Sequence, residues 1–236
     1  MPPSRPTILL TRPQPQADRF AAQCRTRFEN AEIVVAPLIR IEHRPMCAMP
    51  DGVRGLVFTS EVAVRAFAAQ CMRSDLPAWC VGAQTAMAAR DAGFAAQAAG
   101  GTARSLIDMI ADAAPQGPLL HLRGVHAACD VAFALTRRGV PTEEAVIYDQ
   151  RAQPLSAQAR DVLQRAQGLV VAPVLSPRSA RLLAQAAADA RATLRPVAIS
   201  ANAAQAWAEF RDDPVVVAAH PHAGAVLDAM ARAMES

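Results

Sequence analysis

Small hydroxyl residues follow apolar stretches at two places that lie roughly half the chain apart. Residues 55–58 lead directly into Thr59 and Ser60, and residues 168–171 are followed by Ser176, 116 positions after Ser60. A helical pattern begins after each serine. Helix N-termini expose unpaired N–H groups and the positive end of the macrodipole, so they bind carboxylates and phosphates well. The two serines therefore predict anion-binding sites at equivalent points of two related halves.

Small polar residues open three further predicted helices. They are Gly82 with Thr85, Gly101 with Thr102, and Ser200 with Asn202. For any single site of this kind we favour a plain N-cap, whose side chain satisfies the same N–H groups. Because the sites come from both halves, we favour the hypothesis of one large anion that spans a cleft.

Two arginines end predicted strands at positions 111 residues apart. Arg12 follows the apolar residues 7–11, and Arg123 follows residues 119–122. A guanidinium at the end of a strand can bind a carboxylate with two parallel hydrogen bonds. The alternative for each is an ordinary solvated loop arginine.

Tyr148 is the only tyrosine of the chain. A phenol is protonated at neutral pH and can donate its proton to a leaving oxygen. The alternative is an amphipathic residue that packs a linker, because Tyr148 lies in an extended segment bounded by a proline.

Several kinds of chemistry are excluded by what the sequence lacks. It contains no lysine, so it has neither Schiff-base chemistry nor the lysine of a Walker P-loop. Ser60 and Ser176 lack the G-x-S-x-G pattern of a nucleophile elbow, and residues 99–102 are not a G-x-G-x-x-G loop. We therefore expect neither a covalent intermediate nor a nucleotide.

Composition narrows the class of protein further. The 236 residues are 52% hydrophobic, yet no apolar run approaches the roughly 20 residues that span a bilayer. No signal-peptide pattern is present, so we expect a cytoplasmic protein without membrane contact. The five cysteines are scattered and predict free thiols and no metal site. A net charge of +3 with dispersed arginines predicts no nucleic-acid partner.

Short apolar strands alternate with alanine-rich helices along the whole chain, which predicts parallel sheets covered on both faces. The predicted strands are 7–11, 32–36, 55–58, 78–81, 119–122, 144–148, 168–172, 195–199 and 215–218. The predicted helices are 16–25, 62–71, 84–92, 103–113, 127–138, 157–165, 179–190, 202–210 and 223–234. Ligands of such sheets bind beyond the carboxyl ends of the strands, where the hydroxyl residues occur.

Two proline-bounded segments, 36–45 and 146–154, are extended and interrupt this alternation. We interpret them as crossings between two domains, with the chain leaving the first domain at about residue 37 and returning at about residue 153.

The order and spacing of several short motifs resemble the uroporphyrinogen-III synthase family over nearly the whole chain. The motifs are LTRP at 10–13, APLI at 36–39, LVFTS at 56–60 followed by Ala63 and Val64, VG at 81–82, TA at 85–86, GF at 93–94, LRG at 122–124, GV at 139–140 running into VIY at 146–148, and SP at 176–177.

The resemblance implies two flavodoxin-like parallel-sheet domains joined by a two-stranded β-ladder. One domain would comprise 1–37 and 153–236, the other 40–149, with linkers at about 37–41 and 147–153. It implies a cofactor-free lyase that cyclises hydroxymethylbilane with loss of water and inverts the fourth pyrrole through a spiro intermediate, in haem biosynthesis. The tetrapyrrole would lie in the cleft between the domains, and Tyr148 matches the tyrosine proposed to protonate the leaving hydroxyl. The expected form is a monomer, with transient contact to the preceding pathway enzyme as a further option.

One site departs from the family pattern, and other classes of protein stay open. Many members have a glycine followed by threonines where this chain has Ser200, Ala201, Asn202 and Ala203, so hydroxyl groups for direct binding are missing there. The alternatives are a two-lobed anion-binding protein of the solute-receptor type and a non-catalytic regulatory relative.

Overall fold

The computed structural model describes residues 5–14, 16–46, 48–70, 75–126, 129–166 and 168–235. The described strands are β1 (Thr7–Leu10), β2 (Glu32–Val35), β3 (Ile39–His43), β4 (Gly55–Phe58), β5 (Pro77–Cys80), β6 (Ala95–Ala98), β7 (Leu119–Gly124), β8 (Thr142–Ala152), β9 (Leu169–Val174), β10 (Thr193–Ala198) and β11 (Val216–Val217). The described helices are α1 (Gln16–Arg27), α2 (Glu61–Ala68), α3 (Ala83–Asp91), α4 (Ala103–Ala113), α5 (Val131–Arg137), α6 (Ala157–Leu163), α7 (Pro177–Ala186), α8 (Ala201–Ala208) and α9 (Ala223–Glu235).

The chain divides into two compact units. Unit 1 is drawn from residues 1–40 and 151–236, and unit 2 comprises residues 41–150. The sheet of unit 1 has the strand order β11-β10-β9-β1-β2, and its strands are parallel. Successive residues of β1 face opposite layers, with Leu9 in one hydrophobic cluster and Ile8 and Leu10 in another. Burial on both faces explains why the strands are continuous apolar runs.

Unit 2 contains the sheet β3-β8-β7-β4-β5-β6. Strands β4 to β8 are parallel to one another. Strand β3 lies along β8, and the flanking backbone bonds join Arg44 N to Ile147 O and Gln153 N to Leu38 O. Residue numbers rise on one strand as they fall on the other, so this pair is antiparallel.

Both units use the same order of related strands. Strands β9, β10 and β11 of unit 1 take the positions that β4, β5 and β6 take in unit 2. Strands β1 and β2 likewise correspond to β7 and β8. Each unit therefore combines a βαβ segment from one half of the sequence with a three-strand segment from the other half.

The predicted α/β class with parallel sheets is confirmed. The prediction missed β6, because its sequence Ala-Ala-Gln-Ala has low strand propensity and pairing with β5 creates the strand. Helix α5 begins at Val131, after the N-cap Asp130, and not at 127 as predicted. Helix α7 ends at Ala186, before the predicted 190. Ala127 and Cys71, the ends of two predicted helices, lie outside the described residues.

Cysteines and membrane segments were also part of the predictions. Cys24 and Cys80 are free and buried, and burial raises the pKa of their thiols to about 12 and about 11. Cys129 is free and exposed, while Cys47 and Cys71 lie outside the described residues. Over the described ranges, no cluster of three or more metal-binding side chains is found. No helix in that part of the chain is both long and apolar enough to cross a membrane.

Candidate active site

Four strands of unit 2 lead into helices at the carboxyl edge of the sheet. Strand β4 leads into α2, β5 into α3, β6 into α4 and β7 into α5. The N-caps of these helices are Ser60, Gly82, Thr102 and Asp130. Parallel strands bring their carboxyl ends to one edge, so several positive helix ends lie along the same border of the sheet.

A cleft of about 320 Å³ opens between the ends of β4 and β7. These two strands are neighbours, and the chain order reverses there because β5 and β6 extend to one side and β8 to the other. Such a switch point is where open α/β sheets bind ligands. The described lining consists of Thr59, Ser60, Val81, Ala103, Arg123, Gly124, His126, Cys129, Val131 and Tyr148.

Tyr148 is nearly buried and its hydroxyl lies at the N-terminus of α2. The phenol oxygen is 3.1 Å from Ser60 Oγ, and that Oγ accepts a hydrogen bond from Ala63 N, also at 3.1 Å. A Cβ at Gly124 would lie 2.6 Å from Tyr148 Cζ, so only glycine leaves room for the ring. A register shift between Arg123 and Gly124 brings the glycine opposite Tyr148.

A chain of polar side chains lies beside this pair. Thr59 Oγ1 is 3.3 Å from Nε2 of the fully buried His121. His121 Nδ1 is 3.3 Å from Glu144 Oε1, and Arg123 Nε donates to Glu144 Oε2 at 2.8 Å. Burial lowers the pKa of His121 below its usual value, although the hydrogen bond and charge of Glu144 oppose this. The histidine is therefore neutral at physiological pH.

Arg123 lines the cleft, and its guanidinium already makes contacts with other groups of the protein. Besides its ion pair with Glu144, Arg123 donates from Nη1 to the carbonyl of Gly124 at 3.0 Å. Its side chain is 23% exposed, so it is not the solvated loop arginine that was the alternative. These contacts fix the guanidinium at the rim of the cleft with part of its charge neutralised.

Four predicted site residues surround the starts of α3 and α4. A Cβ on Gly82 would lie 3.3 Å from Gly101 Cα, so the two glycines allow two backbone segments to approach closely. Gly101 has φ +89, and its N–H donates to Val81 O at 2.8 Å. Thr102 caps α4 by accepting from Ser105 N, and Thr85 is buried in the first turn of α3. Their neighbours Val81 and Ala103 lie in the lining of the cleft.

The remaining predicted residues belong to unit 1. Ser176 caps α7 in a capping box with Ser179, and Ser200 caps α8. Asn202 is exposed in the first turn of α8 and is not its cap. Arg12 lies over the ring of Phe20, with its Cζ 5.9 Å from the ring centroid. These residues follow the carboxyl ends of β9, β10 and β1, as their counterparts do in unit 2.

Sequence reasoning did not single out His121, Glu144, Gly124, His126 or Cys129. A signal for His121 was present, because a histidine between Leu120 and Leu122 interrupts an otherwise apolar buried strand. Glu144 is its direct partner across β7 and β8, which only the register of the sheet reveals.

These features define an α/β protein with two related parallel sheets and a hydroxyl-lined cleft at a switch point. The family model described as "Uroporphyrinogen-III synthase HemD" matches residues 18–228. The chain therefore belongs to the uroporphyrinogen-III synthase family, which supports the function of such a synthase in haem biosynthesis.

Solved structures of the same family share the fold. The uroporphyrinogen-III synthetase of Helicobacter pylori is 16% identical with a TM-score of 0.67, over 97% of this chain and 99% of that chain. A mutant uroporphyrinogen III synthase of the extremely thermophilic bacterium Thermus thermophilus is 17% identical with a TM-score of 0.54, over 98% of this chain and 99% of that chain. No curated protein matches the chain significantly.

Proposed function

We propose that this chain is a cyclising lyase that converts hydroxymethylbilane into uroporphyrinogen III. Water is lost and the fourth pyrrole is inverted through a spiro intermediate. The observation that carries the proposal is the phenol of Tyr148, which lies 3.1 Å from Ser60 Oγ in the cleft of unit 2. Family membership supplies the reaction, and the phenol supplies a proton donor for its first step.

In the proposed first step the C–O bond of the hydroxymethyl group breaks. Tyr148 donates its proton to the departing hydroxyl, which leaves as water, and a cationic azafulvene and a phenolate remain. Ser60 accepts from Ala63 N, so its own O–H can donate to the phenolate oxygen. The positive end of α2 stabilises the same negative charge.

The later steps need positioning more than further acid catalysis. The substituted α-carbon of the last ring attacks the azafulvene methylene and gives the spiro intermediate. The bond from that carbon to the preceding bridge methylene then breaks, and the unsubstituted α-carbon of the same ring bonds to this methylene instead. That α-carbon loses its hydrogen as a proton, which restores the phenol. Holding a flexible chain in one geometry is a large source of rate enhancement.

Substrate binding is proposed at the strand ends and helix N-termini, where N–H groups of the first helical turns would hold carboxylates. In unit 2 the residues are Thr59, Ser60, Gly82, Thr85, Gly101, Thr102 and Arg123, and in unit 1 they are Arg12, Ser176, Ser200 and Asn202. The serine and threonine caps each satisfy one N–H group, which leaves other N–H groups of the first turn for a ligand. The substrate has eight carboxylates, so sites of this kind on both units support binding of the whole polyanion. The resemblance also supports a cytoplasmic monomer without a cofactor.

A coupled assay tests the proposal. Hydroxymethylbilane is supplied, and the type I and type III isomers are separated by chromatography. Without catalysis the bilane closes to the symmetric type I isomer, so the expected result is a large excess of type III. Formation of type I alone, together with binding of the bilane, would instead identify a non-catalytic relative.

A further inference from the structure

One series of hydrogen bonds links the side chains of Thr59, His121, Glu144 and Arg123. This series determines which of their atoms carry hydrogen. Two nitrogens of Arg123, Nε and Nη2, lie 2.8 Å from Glu144 Oε2. Paired in this way, Glu144 is a carboxylate and can only accept hydrogen bonds. Its Oε1 is 3.3 Å from His121 Nδ1, so Nδ1 must carry the hydrogen of that contact.

The tautomer of His121 decides the direction of the next hydrogen bond. A neutral imidazole with hydrogen on Nδ1 has a bare Nε2, which can only accept. Burial lowers the pKa of His121, with Glu144 opposing, which supports the neutral form. Thr59 Oγ1, 3.3 Å from Nε2, must therefore donate its only hydrogen to the histidine.

Thr59 lines the cleft, so its remaining hydrogen-bonding capacity faces a ligand there. With its hydrogen held by His121, the hydroxyl offers lone pairs alone. A carboxylate also offers lone pairs alone and would be repelled. We infer that Thr59 is a fixed acceptor that binds a pyrrole N–H of the substrate and not one of its carboxylates.

This inference deepens the proposed function and rests on it for the identity of the ligand. It makes His121 and Glu144 positioning residues that act through Thr59. The carboxylates of the substrate would then bind at the helix N-termini, whereas Thr59 would accept a hydrogen bond from a pyrrole N–H. A hydroxyl that can only accept hydrogen bonds thus distinguishes the pyrrole N–H groups of the substrate from its carboxylates.

Replacing Glu144 by glutamine should reverse the direction of the hydrogen bonds from residue 144 to Thr59 while keeping the contacts themselves. The amide oxygen of Glu144→Gln still accepts from Arg123, while its NH2 group faces His121 Nδ1 as a donor. His121 then carries hydrogen on Nε2 and donates to Thr59, whose own hydrogen turns toward the cleft. There the hydroxyl hydrogen faces the pyrrole N–H, and because both groups are donors no hydrogen bond can form between them. Glu143→Gln, an exposed neighbour on the same strand, is the matched control.

The first measurement reads the tautomer directly in the absence of ligand. Nitrogen-15 NMR of labelled histidine, with His121→Gln to assign the signal, should show hydrogen on Nδ1 in the wild type and in Glu143→Gln. Glu144→Gln should show it on Nε2. A wild-type His121 with hydrogen on Nε2 overturns the inference whether or not the protein is a synthase.

The second measurement is the affinity for uroporphyrinogen III, by calorimetry, in wild-type and Thr59→Val backgrounds. Glu144→Gln and Thr59→Val should each weaken binding roughly three- to tenfold, the range for one hydrogen bond. Glu144→Gln should add no further loss in the Thr59→Val background. An equal loss in both backgrounds overturns the inference, because Glu144 would then act through Arg123 alone. Failure to form the type III isomer, in contrast, tests only the proposed function.

Discussion

The equivalent strand ends of the two units differ sharply in polarity. With the shift of 111 that relates Arg12 to Arg123, Leu10 takes the place of His121, and with the shift of 116 Leu175 takes the place of Thr59. The strand partner of Leu10 is Val35, whereas that of His121 is Glu144. Leu10, Val35 and Leu175 belong to one hydrophobic cluster.

One serine N-cap, in contrast, is retained in both units. Ser176 caps α7 as Ser60 caps α2, and Ser200 caps α8 where Gly82 stands at α3. The only tyrosine of the chain belongs to unit 2. We therefore propose that the two units carry two kinds of site, with anion binding in both and groups that transfer protons in unit 2 alone. Substitutions in unit 2 should lower kcat, and equivalent substitutions in unit 1 should raise KM.

The largest effect is expected for Tyr148→Phe, which removes from unit 2 the phenol that unit 1 lacks. Turnover should fall roughly ten- to a thousandfold, the range for loss of one general acid. The ring stays buried, so the melting temperature should change little. Rates of type III formation and thermal unfolding measure the two effects. A variant with wild-type turnover would exclude Tyr148 as the acid.

The second largest loss of turnover is expected for Gly124→Ala. The new Cβ would lie 2.6 Å from Tyr148 Cζ, so the ring must move away from Ser60. A displacement of about 1 Å at a reacting group can reduce the rate by up to roughly a hundredfold. The crowded site should also lose about 1–3 kcal/mol of stability.

Gly168→Ala in unit 1 is the matched control for this substitution, because its Cβ would make an ordinary 3.7 Å contact with Arg165. Its kcat should match the wild type. Equal kcat values for the two variants would show that the position of Tyr148 does not limit the reaction.

Local sequence signals predicted the strands and helices well but not the series of hydrogen-bonded side chains from Thr59 to Arg123. Strand β4 and helix α4 were predicted with the bounds that the structure has, because apolar runs and N-caps are local features. The contact of His121 with Glu144 depends on the register of β7 and β8, and the approach of Gly124 to Tyr148 depends on a register shift. Both are consequences of pairing between distant residues, which no local pattern contains.

Intermediate effects are expected for the paired caps, Ser60→Ala and Ser176→Ala. Each should lower stability by about 1 kcal/mol through loss of an N-cap. Ser60→Ala also removes the partner of Tyr148, so its kcat should fall severalfold, whereas Ser176→Ala should raise only KM. Steady-state kinetics and thermal unfolding distinguish the two. If Ser176→Ala abolished turnover in a folded protein, unit 1 would contain a catalytic hydroxyl.

The smallest effects are expected for Asn202→Ala and Gln84→Ala, which change the second residue of α8 and of α3. Both side chains are exposed, and the caps of these helices are Ser200 and Gly82, so neither residue holds its helix start. Alanine has the higher helix propensity, which should offset any lost contact and leave stability within about 0.5 kcal/mol of the wild type. Backbone N–H groups remain in place to bind a carboxylate, so KM should rise no more than about twofold in either variant. A tenfold rise for Asn202→Ala alone would show that unit 1 binds the substrate through this amide side chain, and the contrast between the units would then extend to how each one recognises a carboxylate.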